Sequence, residues 1–472
     1  MKTECSSKTY KFQSLNRKEI VGAFNGGMIS SDAGGIQLRE FEKSHSILKR
    51  FAECFTDYRD EELIEHTVLE LVSQRVYGLA LGYEDLNDHD DLRHDPLMAI
   101  LVGKEDPTGQ DRERERDKGK ALAGKSTLNR LELTGPDANR DSRYKKIYLD
   151  IEKADRFFVD VFLRMHDTPP EKIILDLDAT DDPIHGEQEG RFFHGYYMEY
   201  CYLPLYIFCG DHLLCARLRQ SNIDASAGSV EELDRIVKQI RESWPEVRIT
   251  IRGDSGFCRE EIMSWCESNG VDFILGLAKN SRLEEIIREE LEEAERMFRE
   301  TKNASRVYKD FVYRTRNSWS RERRVIGKAE YLAKGANPRF VVTSLAPEKV
   351  DARTLYEKDY CARGEMENRI KEQQMCLFAD RTSCTKMLAN QIRLIFSSVA
   401  YVLMSCFRLL CLGGTELARS QCDTIRLKLF KIGGLIKISV RRILISFASG
   451  YPYEGIFTAA YDSISRASPM TA

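Results

Sequence analysis

The sequence predicts an α/β protein whose central mixed sheet is interrupted by a β-rich insertion and flanked by mainly helical regions. Three changes of pattern support this prediction. Apolar residues recur at helical spacing through most of the first 165 residues, short apolar strands alternate with helices after Pro169 and Pro170, and helical periodicity returns after residue 345. These changes predict a helical region at 1–168, a central domain at 169–280 and 346–412, an insertion at 281–345 and a basic helical region at 413–472.

The composition is that of an ordinary globular protein and does not by itself identify a partner. The 472 residues suffice for two or three domains, and a formal net charge of −4 means that any nucleic-acid-binding surface must be local. The 13 cysteines include no C-x-x-C pair, and only His89 and His94 approach the spacing of zinc ligands. We therefore expect free thiols and no structural zinc.

Two segments bear on the cellular compartment. Residues 1–11 are polar and lack the apolar core of a signal peptide, which together with free thiols predicts a cytoplasmic protein. Residues 394–412 are strongly apolar, but Arg408 interrupts them and two glycines end them. We therefore predict a buried core helix there and no membrane partner.

The N-terminal region carries two predicted helices, at 61–81 and 96–102, and one motif that is similar to a phosphate loop. The Gly-Lys-Ser-Thr sequence at 124–127 follows Gly119 at Walker A spacing, but the charged residues before it cannot form the buried strand that such a loop needs. We predict instead a basic helix start that faces either DNA phosphates or solvent through Lys120, Lys125 and Arg130.

In the central region, the order of elements favours a ribonuclease-H-like mixed sheet. The run is strand, strand, strand, helix, strand, helix, although periodicity alone would allow other α/β folds. The strands are predicted at 172–177, 200–209, 213–218 and 247–251, and the helices at 229–243 and 260–266.

The remaining segments combine a β-rich stretch with helices. The predicted insertion has a charged helix at 281–299 and strands at 307–313, 324–331 and 340–344. Further helices are predicted at 357–374 and 385–410, followed by a basic amphipathic helix at 424–447.

Two aspartates stand where predicted strands end. Asp178 follows the strand at 172–177, and Asp254 follows the strand at 247–251. A strand terminus gives a side chain the restricted position that a metal ligand needs, but aspartates there also cap helices. Asp176 projects from the same face as Asp178, since side chains alternate with a period of two, so geometry does not choose between them.

A third acid lies in the helix predicted at 357–374. Helical spacing places Tyr360, Arg363, Glu367 and Lys371 along one face, so the acid is flanked by a phenol, a guanidinium and an ammonium group. From spacing alone, a salt-bridged surface helix is the better explanation.

Together these motifs resemble the DDE transposases of bacterial insertion sequences, specifically the group numbered thirteen-eighty, which is related to a group with a Tyr-x2-Arg-x3-Glu-x6-Lys signature. Tyr360, Arg363 and Glu367 match that signature, whereas Gln374 stands at the position of its lysine. Lys371 would then make the phosphate contact of the missing lysine. The resemblance spans nearly the whole chain through Ser-Ser-Asp-Ala-Gly-Gly at 30–35, Leu-Asp-Leu-Asp-Ala-Thr at 175–180 with His185, Gly186 and Gln188, and Arg-Gly-Asp-Ser-Gly-Phe at 252–257.

The resemblance implies a ribonuclease-H-like catalytic domain with Asp178, Asp254 and Glu367 as its catalytic acids and metal ligands. Asp178 is preferred to Asp176 because Asp-x-Thr resembles the family's form. The acids would hold two Mg²⁺ ions, for which Mn²⁺ would substitute, in phosphodiester hydrolysis and strand transfer on DNA. The resemblance further implies cut-and-paste transposition by a homodimer in the bacterial cytosol, acting on terminal inverted repeats and target DNA.

Contacts with DNA are expected at several places. In the related signature group, the tyrosine and the arginine hold a phosphate beside the glutamate, which assigns that role to Tyr360, Arg363 and Lys371. Trp319, next to Arg323 and Arg324, could stack a flipped base as in relatives that form a DNA hairpin, or it could be a core tryptophan.

Recognition of the DNA ends is expected in the N-terminal helical region and in the basic tail. The tail could instead be an interaction helix. Its basic residues are Arg426, Lys428, Lys431, Lys437, Arg441 and Arg442.

Two other functions fit part of the pattern. A catalytically silent DNA-binding protein derived from a transposase would keep the fold, but three retained acids speak against it. A ribonuclease-H-like nuclease or resolvase would need the same acids, but the segment 281–345 favours a transposase.

Overall fold

The computed structural model of the protein describes residues 8–466. Residues 1–7 of the polar N-terminal segment and residues 467–472 of the predicted C-terminal region lie outside the described range. Within that range the chain forms two compact units. Unit 1 contains residues 8–52, 57–131 and 407–466, and unit 2 contains residues 53–56 and 132–406.

Strands occur in both units. In chain order they are β1 (Thr9–Leu15), β2 (Lys18–Ala23), β3 (Met28–Ser30), β4 (Phe55–Asp57), β5 (Ile147–Leu149), β6 (Lys172–Ala179), β7 (Asp182–Pro183), β8 (Phe192–His194), β9 (Glu199–Tyr202), β10 (Leu205–Cys209), β11 (His212–Arg217), β12 (Arg248–Gly253), β13 (Asp272–Leu277), β14 (Ser305–Tyr313), β15 (Arg323–Leu332), β16 (Gly335–Ala336), β17 (Arg339–Thr343), β18 (Gly434–Ser439) and β19 (Arg442–Phe447).

The α-helices range from single turns to a helix of 25 residues. In chain order they are α1 (Ile36–His45), α2 (Ile47–Ala52), α3 (Val68–Leu81), α4 (His89–Leu92), α5 (Pro96–Val102), α6 (Lys125–Leu133), α7 (Ile151–Arg164), α8 (Ser229–Ser243), α9 (Glu260–Ser268), α10 (Ser281–Ile286), α11 (Arg288–Thr301), α12 (Ala352–Thr354), α13 (Gly364–Leu377), α14 (Met387–Cys411), α15 (Cys422–Ile425) and α16 (Glu454–Arg466).

In unit 1, the core helices α3 and α5 begin and end at residues suited to those positions. The Thr67 side chain accepts a hydrogen bond from the Glu70 amide, while the Glu70 carboxylate accepts one from the Thr67 amide, and α3 ends at Gly82 with φ +95°. The carboxylate of Asp95 caps α5, which ends at Gly103 with φ +92°. The prediction of a helix at 96–102 is confirmed.

The early Ser-Ser-Asp-Ala-Gly-Gly motif joins the two ends of the chain within unit 1. The buried Asp32 carboxylate accepts a hydrogen bond from Tyr83 at 2.6 Å and lies 2.6 Å from the Lys431 ammonium group. At Gly34, a Cβ atom would stand 2.0 Å from the Leu429 carbonyl oxygen. This motif therefore holds the fold of unit 1 together.

The basic tail forms a β-hairpin, so the prediction of a helix at 424–447 is wrong over most of its length. Strands β18 and β19 pair antiparallel from Gly434 opposite Phe447 to Ser439 opposite Arg442, and β3 pairs with the other edge of β18. Isoleucines at alternate positions favour strands, and pairing with β3 satisfies the backbone of β18. Lys437, Arg441 and Arg442 are exposed on this hairpin.

Two other basic residues of the tail serve the fold of unit 1. The buried Arg426 donates hydrogen bonds to the carbonyl oxygens of Leu79 and Ala80, and Lys431 pairs with Asp32. These contacts occupy both side chains, so the expectation that they face DNA does not hold in this structure.

Unit 2 is built on a nine-stranded mixed sheet with the order β11, β10, β6, β12, β13, β17, β15, β14, in which β16 pairs with β15. Strands β6, β12 and β13 run parallel to one another, and the other neighbours are antiparallel. Leu177 of β6, Ile251 of β12 and Ile236 of α8 belong to one buried apolar cluster. The bounds of α8 match the predicted helix at 229–243.

The predicted insertion belongs to this same sheet. Strand β17 pairs antiparallel with β13, with Leu275 opposite Val342, so β14, β15 and β17 extend the central sheet. An unpaired edge of β13 would expose a row of backbone hydrogen-bonding groups, and β17 satisfies them. The predicted helix at 281–299 is two helices, α10 and α11, that meet at Ile287.

Helix α14 is the core helix predicted around residues 394–412. It is long and apolar enough to cross a membrane, but 89% of its most apolar window is buried within the protein. The expectation of free thiols also holds for the described cysteines, none of which forms a disulfide.

Candidate active site

Strand β6 places two aspartates on one face of the sheet. Its pairing sets Asp176 opposite Arg252 of β12, and it sets Asp178 opposite Tyr206 of β10. Because β6 and β12 run parallel, their carboxyl ends lie at the same edge, where β12 leads directly into Asp254.

Asp176 forms a buried ion pair with Arg252. The guanidinium Nε donates to Asp176 Oδ1 at 2.5 Å, Nη2 donates to Oδ2 at 2.8 Å, and Nη1 donates to the Asp359 carbonyl. The two side chains are only 8% and 7% exposed. Burial raises the pKa of Asp176, and the hydrogen-bonded Arg252 opposes that rise. Both carboxylate oxygens of Asp176 therefore accept hydrogen bonds from Arg252.

Asp178 instead lies near acids from other elements. Its Oδ1 accepts a hydrogen bond from the Ala179 amide at 2.9 Å, and its Oδ2 lies 3.6 Å from Nη1 of Arg363. Burial raises the pKa of Asp178 to about 6, the Arg363 charge opposes the rise, and the charges of Asp254 and Glu367 add to it. These charge interactions place the three predicted acids in one neighbourhood.

Asp254 caps the short turn that follows β12. Its Oδ1 accepts a hydrogen bond from the Gly256 amide at 2.7 Å, at the start of a 3₁₀ turn over Ser255–Phe257. The capping role considered from the sequence is thus present. It uses one carboxylate oxygen and fixes the side chain beside the neighbouring acids.

The third acid comes from a helical segment with irregular turns. A π-helical stretch, Leu355–Tyr360, and a 3₁₀ turn, Cys361–Arg363, lead into α13. Arg363 Nη2 donates to Glu367 Oε1 at 2.9 Å, and Arg363 Nη1 is 3.6 Å from Asp178. Irregular turns of this kind often occur at functional sites because they redirect side chains.

The guanidinium of Arg363 is held by anionic and phenolic neighbours on several sides. Burial works against its charge, but Asp178, Tyr360, Glu367 and Asp254 together raise the pKa of Arg363. The side chain is 19% exposed, so part of it is accessible from solution. It is a fixed cation at the edge of the acid cluster.

Tyr360 packs against a glycine that the sequence pattern does not single out. A Cβ atom on Gly276 of β13 would stand 2.5 Å from the Tyr360 hydroxyl and 2.9 Å from the Ser255 amide nitrogen. Burial raises the pKa of Tyr360, the Arg363 charge opposes the rise, and the Asp254 charge adds to it. The absence of a side chain at Gly276 thus allows Tyr360 to approach the Asp254 turn.

Lys371 and Gln374, the two candidates on α13 for the position of the signature lysine, have different surroundings. Lys371 is exposed and forms no ion pair within the described residues. Gln374, at the position of the signature lysine, donates to Asp182 Oδ1 at 2.9 Å. Burial raises the pKa of Asp182 to about 8. Gln374 therefore binds a buried carboxyl group near the end of β6.

Trp319, Arg323 and Arg324 lie within the protein. Trp319 is 5% exposed and packs edge-on against Tyr313, with ring centroids 5.8 Å apart. Arg323 is paired with Glu260 and Glu267, and Arg324 with Asp310. In this conformation the tryptophan faces are covered by protein, and both guanidinium groups are used in internal ion pairs.

A hairpin of aromatic residues near Asp178 was missed from the sequence. Strands β8 and β9 carry Tyr196 at their turn, 84% exposed, together with exposed Phe193 and Tyr200. The charges of Asp181 and Asp178 contribute, after burial, to raising the pKa of Tyr197, so this hairpin lies beside the acids. The signal in the sequence was the run Phe-Phe-His-Gly-Tyr-Tyr-Met-Glu-Tyr at 192–200.

The donor groups of the site suit a hard divalent cation. Asp178, Asp254 and Glu367 offer carboxylate oxygens, and the like-charge repulsion among them is what a bound dication relieves. Across residues 8–466, no group of three histidine, cysteine, aspartate or glutamate side chains is already close enough to hold a metal. Arg363 stands within ion-pair distance of both Asp178 and Glu367.

Comparison with known proteins finds one family and one solved structure to report. The model of a family described as transposase DDE domain group 1 matches residues 12–469. A cryo-EM structure of a piggyBac transposase synaptic complex with hairpin DNA has 12% identity and a TM-score of 0.39, over 84% of this chain and 79% of that chain. No curated protein matches the chain.

Proposed function

The chain belongs to the family described as transposase DDE domain group 1, and on this basis we propose that it cleaves DNA at transposon ends with Asp178, Asp254 and Glu367 as catalytic acids. One observation carries the assignment of residues. Carboxylates from β6, from the end of β12 and from α13 share one neighbourhood, in which Arg363 contacts two of them. Acids that converge from separate elements are what metal-dependent phosphoryl transfer requires.

The proposed division of roles follows from the contacts. Asp178 and Asp254 are held at adjacent strand ends by hydrogen bonds to backbone amides, so their positions are restricted. Asp176 positions Arg252 and takes no direct part. Glu367 is 44% exposed and paired with Arg363, which gives it freedom to turn toward a ligand.

The site is proposed to hold two Mg²⁺ ions, or Mn²⁺ in their place, on the three carboxylates. Bound ions of this kind activate an attacking hydroxyl and stabilise a leaving oxygen. Before they bind, Arg363 neutralises part of the charge of Asp178 and Glu367. Once a phosphate is present, the exposed part of the same guanidinium can donate to it.

Tyr360, Arg363 and Lys371 are proposed to hold the DNA backbone beside Glu367. Tyr360 and Arg363 are close enough to influence each other's ionisation, and Lys371 is free to reach a phosphate one helical turn beyond Glu367. For stacking of an unpaired base, the exposed Tyr196 and Tyr200 suit the role better than Trp319.

The finer classification is also a proposal. When only the strands of the nine-stranded sheet are counted, the order β6, β10, β11, α8, β12, α9 is strand, strand, strand, helix, strand, helix. This order, with both parallel and antiparallel pairs, supports a ribonuclease-H-like sheet. The signature match at Tyr360, Arg363 and Glu367 supports the insertion-sequence group. We further propose cut-and-paste transposition by a homodimer acting on terminal inverted repeats and target DNA in the bacterial cytosol.

Cleavage of DNA from the borders of the gene tests the function. In the presence of Mg²⁺ the wild-type chain should nick or cut this DNA, and Asp178→Asn, Asp254→Asn and Glu367→Gln should each lose activity. Removing a residue that only hydrogen-bonds a metal ligand reduces activity by ~10–100-fold, and we expect a larger loss when the ligand itself is removed. DNA binding without metal should remain.

A matched control lies on the same helix as Glu367. Glu365 is 74% exposed, so Glu365→Gln removes the same charge two residues away. Equal activity of Glu365→Gln and Glu367→Gln would remove Glu367 from the proposed site. Cleavage that is undiminished in all three acid variants would mean that this chain is not a transposase of the proposed mechanism.

A further inference from the structure

Unit 1 contains a cavity lined mainly by charged side chains. Its volume is about 300 Å³, and it lies between the segments around residues 65, 90, 112 and 125. Three acids line it, namely Glu65, Asp90 and Asp117. Six cations line it, namely Arg93, Arg112, Arg114, Arg116, Lys120 and Arg130. Small-molecule sites are usually larger and mostly apolar, so this cavity suits a small anion.

The acids of the cavity are already matched by basic groups. Glu65 lies 3.1 Å from Arg112, Asp117 lies 3.6 Å from Arg116, and Asp90 lies 3.5 Å from Lys125. Within the described residues, the side chains of Arg93 and Arg114 form no hydrogen bond or ion pair, and the Arg93 charge acts on the nearby Asp90 carboxylate. The cavity therefore keeps an excess of positive charge.

Two buried donors line the same cavity. The Nε atoms of Arg93 and Arg112 are inaccessible to solvent and have no hydrogen-bond partner among the described residues. The Arg112 side chain is only 10% exposed, because Glu65, His66 and the Lys120 carbonyl hold its terminal nitrogens. Buried donors without a partner are costly, and a bound ion beside the cavity wall is one explanation for them.

The Gly-Lys-Ser-Thr sequence also lines this cavity. Helix α6 begins at Lys125, and Gly124, Ser126 and Thr127 at its first turn lie along the cavity wall. Gly124 lets the backbone approach, because a Cβ atom there would stand 2.8 Å from Asp90 Oδ1 and 3.0 Å from Arg93 Nη1. The Asp90 carboxylate accepts a hydrogen bond from the Lys125 amide at 3.1 Å, so part of the positive charge of this helix N-terminus is already matched, and the remainder adds to that of the arginines.

We propose that this cavity binds a phosphate group of the DNA backbone. The phosphate chemistry follows from the clustered guanidinium groups, which match phosphate oxygens in geometry and charge. The choice of DNA as its source rests on the proposed function. Arg114 and Arg116 are exposed, so a phosphate within a strand can enter while its neighbours stay outside. The contact positions DNA without reading its sequence.

Salt-dependent DNA binding tests the proposal without any cleavage. A labelled duplex from the gene border and a scrambled duplex are titrated in metal-free buffer over a series of KCl concentrations. The variants are Arg93→Gln and Arg114→Gln, whose side chains form no hydrogen bond or ion pair within the described residues, and the control is Lys43→Gln, an exposed charge on α1. Thermal unfolding of all variants should match the wild type.

The expected result is a flatter salt dependence. Each phosphate contact contributes about 0.9 to the slope of log K against log salt, so each cavity variant should lose about one unit on both duplexes. Lys43→Gln should retain the wild-type slope. Wild-type slopes for both cavity variants would overturn the proposal.

Inorganic pyrophosphate separates the two sources of phosphate. If pyrophosphate binds the wild type but not Arg93→Gln, while DNA slopes are unchanged, the cavity takes a free phosphate compound and the DNA assignment is wrong. Failure of the proposed function would be a separate result. Mg²⁺-dependent cleavage would be absent, whereas the slopes of log K against log salt measured without metal would still differ between the wild type and the cavity variants.

Discussion

At the level of single residues, the site depends on how two aspartates of one strand are divided between two arginines. Asp176 binds Arg252 through both oxygens, and Asp178 lies next to Arg363. The alternation of a strand predicts that both aspartates share a face. It does not predict which arginine each one meets, because that depends on the register between β6 and β12 and on the approach of the helical segment that carries Arg363.

Asp176→Ala should cost stability as well as activity. It would leave the buried Arg252 guanidinium unpaired, and breaking a buried pair of this kind costs about 3–5 kcal/mol. Asp178→Asn should lose cleavage and keep most of its stability. Chemical denaturation of both variants distinguishes the two aspartates. The double variant with Asp176→Leu and Arg252→Met should recover stability, and failure to recover would contradict the buried-pair explanation.

Gly276→Ala should slow catalysis without contacting the carboxylate groups of the acids, since its Cβ atom would stand 3.1 Å from the backbone carbonyl carbon of Asp254. The new methyl group would meet the Tyr360 hydroxyl and the Ser255 amide, so either Tyr360 or the Asp254 turn must move. A displacement of about 1 Å in an active site can cost on the order of 100-fold in rate. We expect a lower kcat with KM for DNA little changed.

A glycine with free space provides the control for Gly276. At Gly364, at the start of α13, an added Cβ atom would have no neighbour within 4 Å. Gly364→Ala should therefore preserve activity, and it should slightly stabilise the helix. The added methyl group of Gly276→Ala should also lower stability, and adding Tyr360→Phe should recover part of that loss because it removes the hydroxyl 2.5 Å away. Wild-type kcat in Gly276→Ala would show that this contact does not position the site.

At the level of elements, local patterns predict where the strands and helices of unit 2 lie better than they predict which strands pair with each other. Helix α8 and the strands that lead to Asp178 and Asp254 were predicted from periodicity and are confirmed. The segment 281–345 is predicted as a β-rich insertion without a partner for its strands, and β17 joins it to β13. The prediction that the basic tail is helical is wrong, because pairing with β3 makes it a hairpin. Both pairings join distant segments, which periodicity does not report.

The core position of Trp319 within the extended sheet leads to a stability prediction. Its ring is buried against Tyr313 and Arg323, so Trp319→Ala should destabilise unit 2 by about 3–5 kcal/mol. Trp319→Phe should retain most of the stability and most of the cleavage. Thermal unfolding and product analysis of these variants would check this.

A base-stacking role would give the opposite result for Trp319. Trp319→Ala would then change the cleavage products while its stability stayed at the wild-type level. Tyr196 offers the matched comparison, since it is 84% exposed and Tyr196→Ala should leave stability unchanged. A loss of cleavage in Tyr196→Ala alone would favour the aromatic hairpin as the stacking surface.

At the level of the whole molecule, both units depend on contacts that join distant parts of the chain. Unit 1 combines residues 8–131 with residues 407–466, apart from 53–56, and Asp32 links Tyr83 to Lys431 within it. In unit 2, Gln374 of α13 donates a hydrogen bond to Asp182 of β7, which lies just beyond the end of β6. The sequence motifs include Asp32, Lys431 and Gln374, but nothing in local spacing could show that a neutral glutamine would meet a buried carboxyl group.

The buried Asp182 should make stability depend on pH. Burial raises its pKa from 3.8 to about 8, so below pH 4 the carboxyl is protonated in both the folded and the unfolded chain. As the pH rises from 4 to 8, only the unfolded chain releases the proton. The stability of unit 2 should therefore fall over this window, by up to about 1.4 kcal/mol per pH unit for one group.

Asp182→Asn should remove this dependence, because the amide keeps a hydrogen-bonding group for Gln374 and carries no charge. Urea unfolding at several pH values measures the free energy of unfolding of both proteins. The variant should become more stable relative to the wild type from pH 4 to pH 8, by about a few kcal/mol for one group with a raised pKa. Asp234→Asn on the surface of α8 is the control and should follow the wild type at every pH. A constant difference between Asp182→Asn and the wild type across the window would show that Asp182 is ionised in the folded protein. Gln374 would then hydrogen-bond a buried carboxylate, much as the signature lysine would have paired with a charge.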